Sequence, residues 1–188
     1  MASNSIISFL LISSLLVSFP SFHARNTSDY HFYLRRACND TPHRNLCTRS
    51  LAPFSRNTPM GSPREWAHLA VMVAMSEYRR ISIYLVKKHQ GSPAFTDCTE
   101  CMRDATVQLQ SSEYELKNFD RTKFELQMND IETWVSAALT DANTCIDGLM
   151  YYKGDQVGAV KHRVLKAAHL CSNALAFVNK LASSKSTN

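Results

Sequence analysis

Glycine is scarce in this chain, five residues in 188, and proline contributes only six. So few residues at ease with positive φ leave little material for the tight hairpins of an all-β sandwich or barrel, and collagen-like or low-complexity compositions are excluded. Blocks of basic residues are also missing. Lys and Arg number 21 against 16 Asp and Glu, a mild excess spread along the chain. Such an excess attracts acidic polymers weakly and is no nucleic-acid footprint. The chain has no H-E-x-x-H, no paired C-x-x-C set, no G-x-S-x-G and no glycine-rich phosphate loop. Zinc, hydrolase and nucleotide chemistry therefore have no anchor, and no metal or cofactor is expected.

One long apolar run is present, Ile6 to Phe19, with no charge before Arg25. It spans about 14 residues, short of the roughly 20 that cross a bilayer, and reads as the core of a signal peptide. Residues 1–24, ending at the small Ala24, are expected to be a cleaved leader. The mature chain is expected to be secreted and free of the membrane.

From residue 25 to 63 the chain is polar and punctuated by Pro42, Pro53, Pro59 and Pro63, which suits an arm of short helices. Four long helical patterns fill 64–188. The first runs from Arg64 to His89 behind Ser62-Pro63, an N-cap and N1 pair, with an apolar stripe of Trp66, Ala70, Val73, Ala74, Ile81, Tyr84 and Leu85. The second opens after Pro93, with Thr96 and Asp97 as candidate caps, and lines up Cys98, Met102, Ala105, Leu109 and Leu116 to about Asn118. In the third, Met128, Ile131, Val135, Ala138, Ala142, Cys145 and Leu149 recur at alternating intervals of three and four. The fourth repeats that seam with Val160, Val164, Ala167, Cys171, Ala174, Val178 and Leu181, across a connection from Gly148 to Gly158. Helices of this length joined by short connections pack antiparallel. The expected fold is all-α, an up-down-up-down four-helix bundle with an N-terminal helical hairpin arm.

Six cysteines allow 15 full pairings, and in an oxidising compartment they are crosslink candidates first. Bundle geometry prunes the choice. Antiparallel second and third helices bring Cys98, at the start of one, level with Cys145, at the end of the other. Cys38 and Cys47 flank Thr41-Pro42 and can close a small hairpin in the arm. Cys101 and Cys171 lie on diagonal helices at heights differing by roughly 9 Å, too far for the 7 Å Cα separation that a bridge tolerates, and are expected to stay reduced.

Other features have plainer readings. Cys98-x-x-Cys101 at a helix start has the spacing of a redox pair, but no βαβ pattern surrounds it. His162 and His169, seven apart on one face, have no acidic or Cys partner at ligand spacing and read as surface residues. Trp134 sits one position off its seam and broadens the core face. Tyr151 and Tyr152 either pack the bundle end or face a partner. Asn26 and Asn39 head glycosylation sequons in the polar arm.

Cys38 and Cys47 around Thr41-Pro42, Asp97-Cys98-Thr99-Glu100, the Trp134 to Thr140 segment Trp-Val-Ser-Ala-Ala-Leu-Thr, Asn143-Thr144-Cys145 and Ser172-Asn173-Ala174-Leu175-Ala176 together resemble the plant invertase and pectin methylesterase inhibitor family. The resemblance covers nearly the whole mature chain. It implies a four-helix bundle with a disulfide-closed hairpin, a second bridge between the middle helices, and a secreted, non-enzymatic inhibitor acting in the cell wall. The Trp134 segment and the Ser172 to Ala176 ending look more like the pectin methylesterase branch. Invertase inhibitors carry a Pro-Lys-Phe element, and the nearest string here, Thr122-Lys123-Phe124, lacks the proline. The resemblance further implies that bundle helices lie across the esterase's cleft and exclude pectin, with Glu100, Asp104, Thr144 and Asp147 at the contact. Val107 stands where that pattern has a further acid. Alternatives are inhibition of acid invertase and a non-inhibitory pectate-binding role.

Overall fold

The computed structural model describes residues 27–54, 62–88 and 93–184, with side chains from residue 31 onward in the first helix. The expected leader, residues 1–24, and the Asn26 sequon position lie outside the described residues. Six helices follow one another: α1 (Thr27–Cys38), α2 (Arg44–Leu51), α3 (Pro63–Lys88), α4 (Pro93–Lys117), α5 (Phe124–Gly148) and α6 (Asp155–Ser183). A 3-10 turn, Arg121–Lys123, leads into α5, and no strand occurs among the described residues.

Helices α3 to α6 form the bundle. Contacts run α3 to α4, α4 to α5, α5 to α6 and α6 back to α3, so α3 and α5 face each other across one diagonal, α4 and α6 across the other. The seams read from the sequence point inward. Every residue of the α5 and α6 seams is buried, from Met128 to Leu149 and from Val160 to Leu181. In α4, Ser112 completes the row between Leu109 and Leu116, its hydroxyl donating to the Gln108 carbonyl at 3.0 Å. In α3, Val73 and Tyr84 are only half-buried, while Ala67, Val71 and Tyr78 join the core. Tyr78 reaches across the diagonal, its hydroxyl donating to the Ala138 carbonyl at 3.1 Å.

Helix ends follow local chemistry. Ser62 caps α3, its Oγ accepting from the Glu65 N–H at 3.3 Å, and Pro63 takes the first helical position. Thr96 and Asp97 do not cap α4 as expected: the helix already begins at Pro93, whose fixed φ suits a first turn, and both residues lie inside it. The connection between α5 and α6 is also shorter than the two glycines suggested. Gly154 adopts φ +122°, a conformation open mainly to glycine, and α6 starts next to it, so Gly158 belongs to its first turns. Tyr151 and Tyr152 in this connection are exposed, as is Trp134 in part.

The hairpin of α1 and α2 is closed by a Cys38–Cys47 disulfide, and α2 packs on α3 and α6. A second disulfide joins Cys98 of α4 to Cys145 of α5 with Cα atoms 4.5 Å apart. Cys101 and Cys171 are unbonded. His169 departs from its expected surface role. It is half-buried, its ring stacked on that of His43 at 3.7 Å, because α2 covers this part of α6; His162, one heptad earlier, is exposed.

Candidate functional site

The Cys98–Cys145 bridge fixes the register of α4 against α5, and that register builds a polar outer face. Glu100 and Asp104 are exposed and share a face of α4, four residues apart; Thr144 and Asp147 are exposed on α5. Running antiparallel from the bridge, Glu100 stands within about one residue of the level of Thr144. Asp147 and Asp104 then lie at opposite ends of a stripe about 12 Å long. The four side chains singled out from the sequence are thus all exposed on the two helices, beside a covalent staple that prevents those helices from sliding. Val107, one turn beyond Asp104, adds an apolar contact point, 62% exposed.

Three further polar residues of α5 were passed over by sequence reasoning. Ser136 and Thr140 are exposed two turns and one turn before Thr144, and each threonine hydroxyl donates to the carbonyl four residues back, Thr140 to Ser136 and Thr144 to Thr140, both at 3.0 Å. Their oxygens are left with lone pairs pointing outward. The signal was the spacing of four on an amphipathic helix. Asp141 lies deeper, where α4 covers it. Burial first, and then the Asp104 carboxylate, raise its pKa above the ordinary carboxylate value, against a hydrogen bond from the Gln108 side chain. Asp141 Oδ2 and Gln108 Oε1 are both buried and without a hydrogen-bond partner among the described residues.

Cysteine chemistry is quiet here. With Cys98 committed to Cys145, the Cys98-x-x-Cys101 spacing is no dithiol pair. Burial and then Asp141 push the Cys101 thiol up, which keeps it protonated. Cys171 is more deeply buried, raised to about 12, and its sulfur donates to the Val135 carbonyl at 3.4 Å. Among the described residues no three His, Cys, Asp or Glu side chains gather into a metal site.

The other candidate element stands at the far end of the molecule. Thr122 and Lys123 lie in the 3-10 turn, which Asp120 caps by accepting from the Thr122 N–H at 2.9 Å. Phe124 opens α5. From there to Cys145 is 21 residues of helix, or about 30 Å.

The groups singled out thus lie on the outside of a disulfide-pinned helical bundle. Residues 33–177 match the family model described as plant invertase/pectin methylesterase inhibitor, and the chain belongs to that family. It is 35% identical to Pectinesterase inhibitor 6 of Arabidopsis thaliana over 84% of this chain and 81% of that one. It is also 35% identical to Pectinesterase inhibitor 10 of the same plant over 81% of this chain, spanning about half (52%) of that relative. The crystal structure of a pectin methylesterase inhibitor from Arabidopsis, in mutant form A, superposes with a TM-score of 0.59 at 19% identity, covering 76% of this chain and 92% of the other, which shows the shared fold.

Proposed function

We propose that this chain is a secreted inhibitor of pectin methylesterase, binding the enzyme one to one and blocking its pectin cleft with the α4/α5 face. The single observation that carries the reading is the row Glu100, Asp104 and Asp147 on two helices held in fixed register by Cys98–Cys145. A groove built for a polyuronate meets carboxylates along its length. An inhibitor offering carboxylates on a rigid surface can occupy the same contacts without being a substrate, and rigidity spares the ordering entropy of a flexible chain. The relatives named as pectinesterase inhibitors support this target over invertase. So does the missing proline before Lys123-Phe124.

The wall is the expected place of action. Residues 1–24 serve as the leader, Asn26 and Asn39 are candidate glycosylation positions, and no helix among the described residues is long and apolar enough to cross a membrane. The function is tested by titrating purified chain into pectin methylesterase acting on methylated pectin and, in parallel, into acid invertase acting on sucrose. Esterase activity should fall to a plateau at one equivalent while invertase is unaffected. No inhibition across a panel of esterase isoforms would reject the reading, and inhibition of invertase alone would replace it.

A further inference from the structure

Several of the chain's basic residues line grooves on the side of the bundle away from α4 and α5. Helix α2 rests on α3 and α6, the bundle edge opposite α4 and α5. Two grooves adjoin there. One, of about 530 Å³, runs between α1 and α2 and carries Arg35, Arg44 and Arg49. The next, of about 550 Å³, runs between α2 and α6 and carries Arg49, His162, Lys166 and His169. Arg49 lines both from the crest of α2 between them, and the two grooves together with that crest make one cationic trough across α2.

Among the described residues no Asp or Glu lines either groove. The carboxylates nearby are already engaged. Asp40 is bonded to Lys180 at 3.0 Å, which with the charge of Lys180 holds it below its ordinary pKa, and Glu77 is bonded to Lys166 at 3.0 Å. Among the described residues Arg49 donates only through its Nε, to the Asn45 carbonyl at 3.3 Å. Leu165, 44% exposed, gives the trough an apolar patch beside these cations.

We infer that this trough is a second binding surface, one that holds a linear polyuronate of the kind left when pectin loses its methyl esters. An open, elongated trough with cations at several points suits a chain that repeats one carboxylate per sugar, better than a compact phosphate, which needs donors converging on one point. Guanidinium groups pair with carboxylates in bidentate fashion, and an apolar side chain between them meets the C–H faces of sugar rings. A methyl ester abolishes the charge, so the trough discriminates de-esterified from esterified chain. Because it lies on the opposite side from α4/α5, the protein can hold polyuronate while that other face is occupied.

The test needs no esterase. The full chain is sedimented with insoluble polygalacturonate, with highly methylated pectin and with phosphatidylserine vesicles, at low and high salt. Retention on polygalacturonate is expected, falling with methylation and with salt. R35Q/R44Q/R49Q should bind about tenfold more weakly, whereas K117Q/R121Q/K123Q, equal in lost charge but at the other end of the bundle, should bind as the parent does. Circular dichroism checks that both variants remain folded. Equal weakening in the two variants would reduce the effect to net charge and overturn the inference. So would retention on vesicles but not on polygalacturonate, or no retention at low salt.

Discussion

The side-chain amide of Asn173 pairs with both peptide groups of His43: Oδ1 accepts from the His43 N–H at 2.9 Å, and Nδ2 donates to the His43 carbonyl at 3.1 Å. That carbonyl also accepts from the Cys47 N–H at 2.8 Å in the first turn of α2. A buried side chain of α6 thereby substitutes for the missing side-chain cap at the start of α2 and holds the arm to the bundle.

Truncation at this point should therefore be felt across the arm. Asn173→Ala leaves the His43 N–H unpaired in a partly buried site, which costs about 2 kcal/mol. Thermal unfolding should shift down by about 5 °C, and limited proteolysis should cut the α1–α2 hairpin sooner. A variant that melts with the parent would show that the amide contributes nothing to docking.

How far such features can be read ahead depends on whether their partners are local. The seams of α5 and α6 were legible to the last residue because a strict alternation of three and four leaves only one apolar face to bury. The fold and the level of Cys98 with Cys145 follow from that. Tyr78 was passed over although it falls between Ala74 and Ile81 at helical spacing, since its hydroxyl needs an acceptor, and the one it uses belongs to Ala138 across the bundle. Asn173 hides for the same reason, with a partner 130 residues away. Glu100, Asp104, Thr144 and Asp147 were singled out through the motifs around the two bridge cysteines, and all four are exposed. Asp141 was not, because its burial is set by α4 rather than by its own helix.

The two disulfides should differ in weight. Closing the 47-residue separation of Cys98 and Cys145 removes more unfolded-chain entropy than closing the nine-residue separation of Cys38 and Cys47. In the chain-entropy model the losses on removal are about 4 and about 3 kcal/mol. Urea unfolding of C98A/C145A should thus show the larger drop, along with loosening of the α4/α5 register. Equal or reversed losses would mean that strain or residual structure outweighs loop entropy.

Asp141 makes a pH-dependent stability prediction whose sign is fixed by the direction of its shift. A carboxyl with a raised folded-state pKa binds its proton more tightly when folded, so the fold is favoured at low pH and loses that advantage as pH climbs through the ordinary value of 3.8 and beyond. Asp141→Asn removes the buried charge while keeping the shape. It should raise the melting temperature at pH 7, with the gap closing as pH falls toward 3.8. A constant gap at every pH would place the effect in packing rather than charge.

Charge reversal separates the two ends of the bundle as candidate inhibitory surfaces. Glu100→Lys and Asp104→Lys each turn an attractive contact into a repulsive one at a face held rigid by the adjacent bridge, so the inhibition constant against pectin methylesterase should rise about tenfold or more for each. Added salt should weaken the parent in the same direction, since exposed charges are screened beyond about 10 Å at 0.1 M. Lys123→Glu lies about 30 Å away along α5 and should leave esterase inhibition unchanged. If Lys123→Glu abolished inhibition and the two α4 reversals did not, the working surface would be the 3-10 turn at the far end, and the acidic stripe would be merely a solvated flank of the bundle.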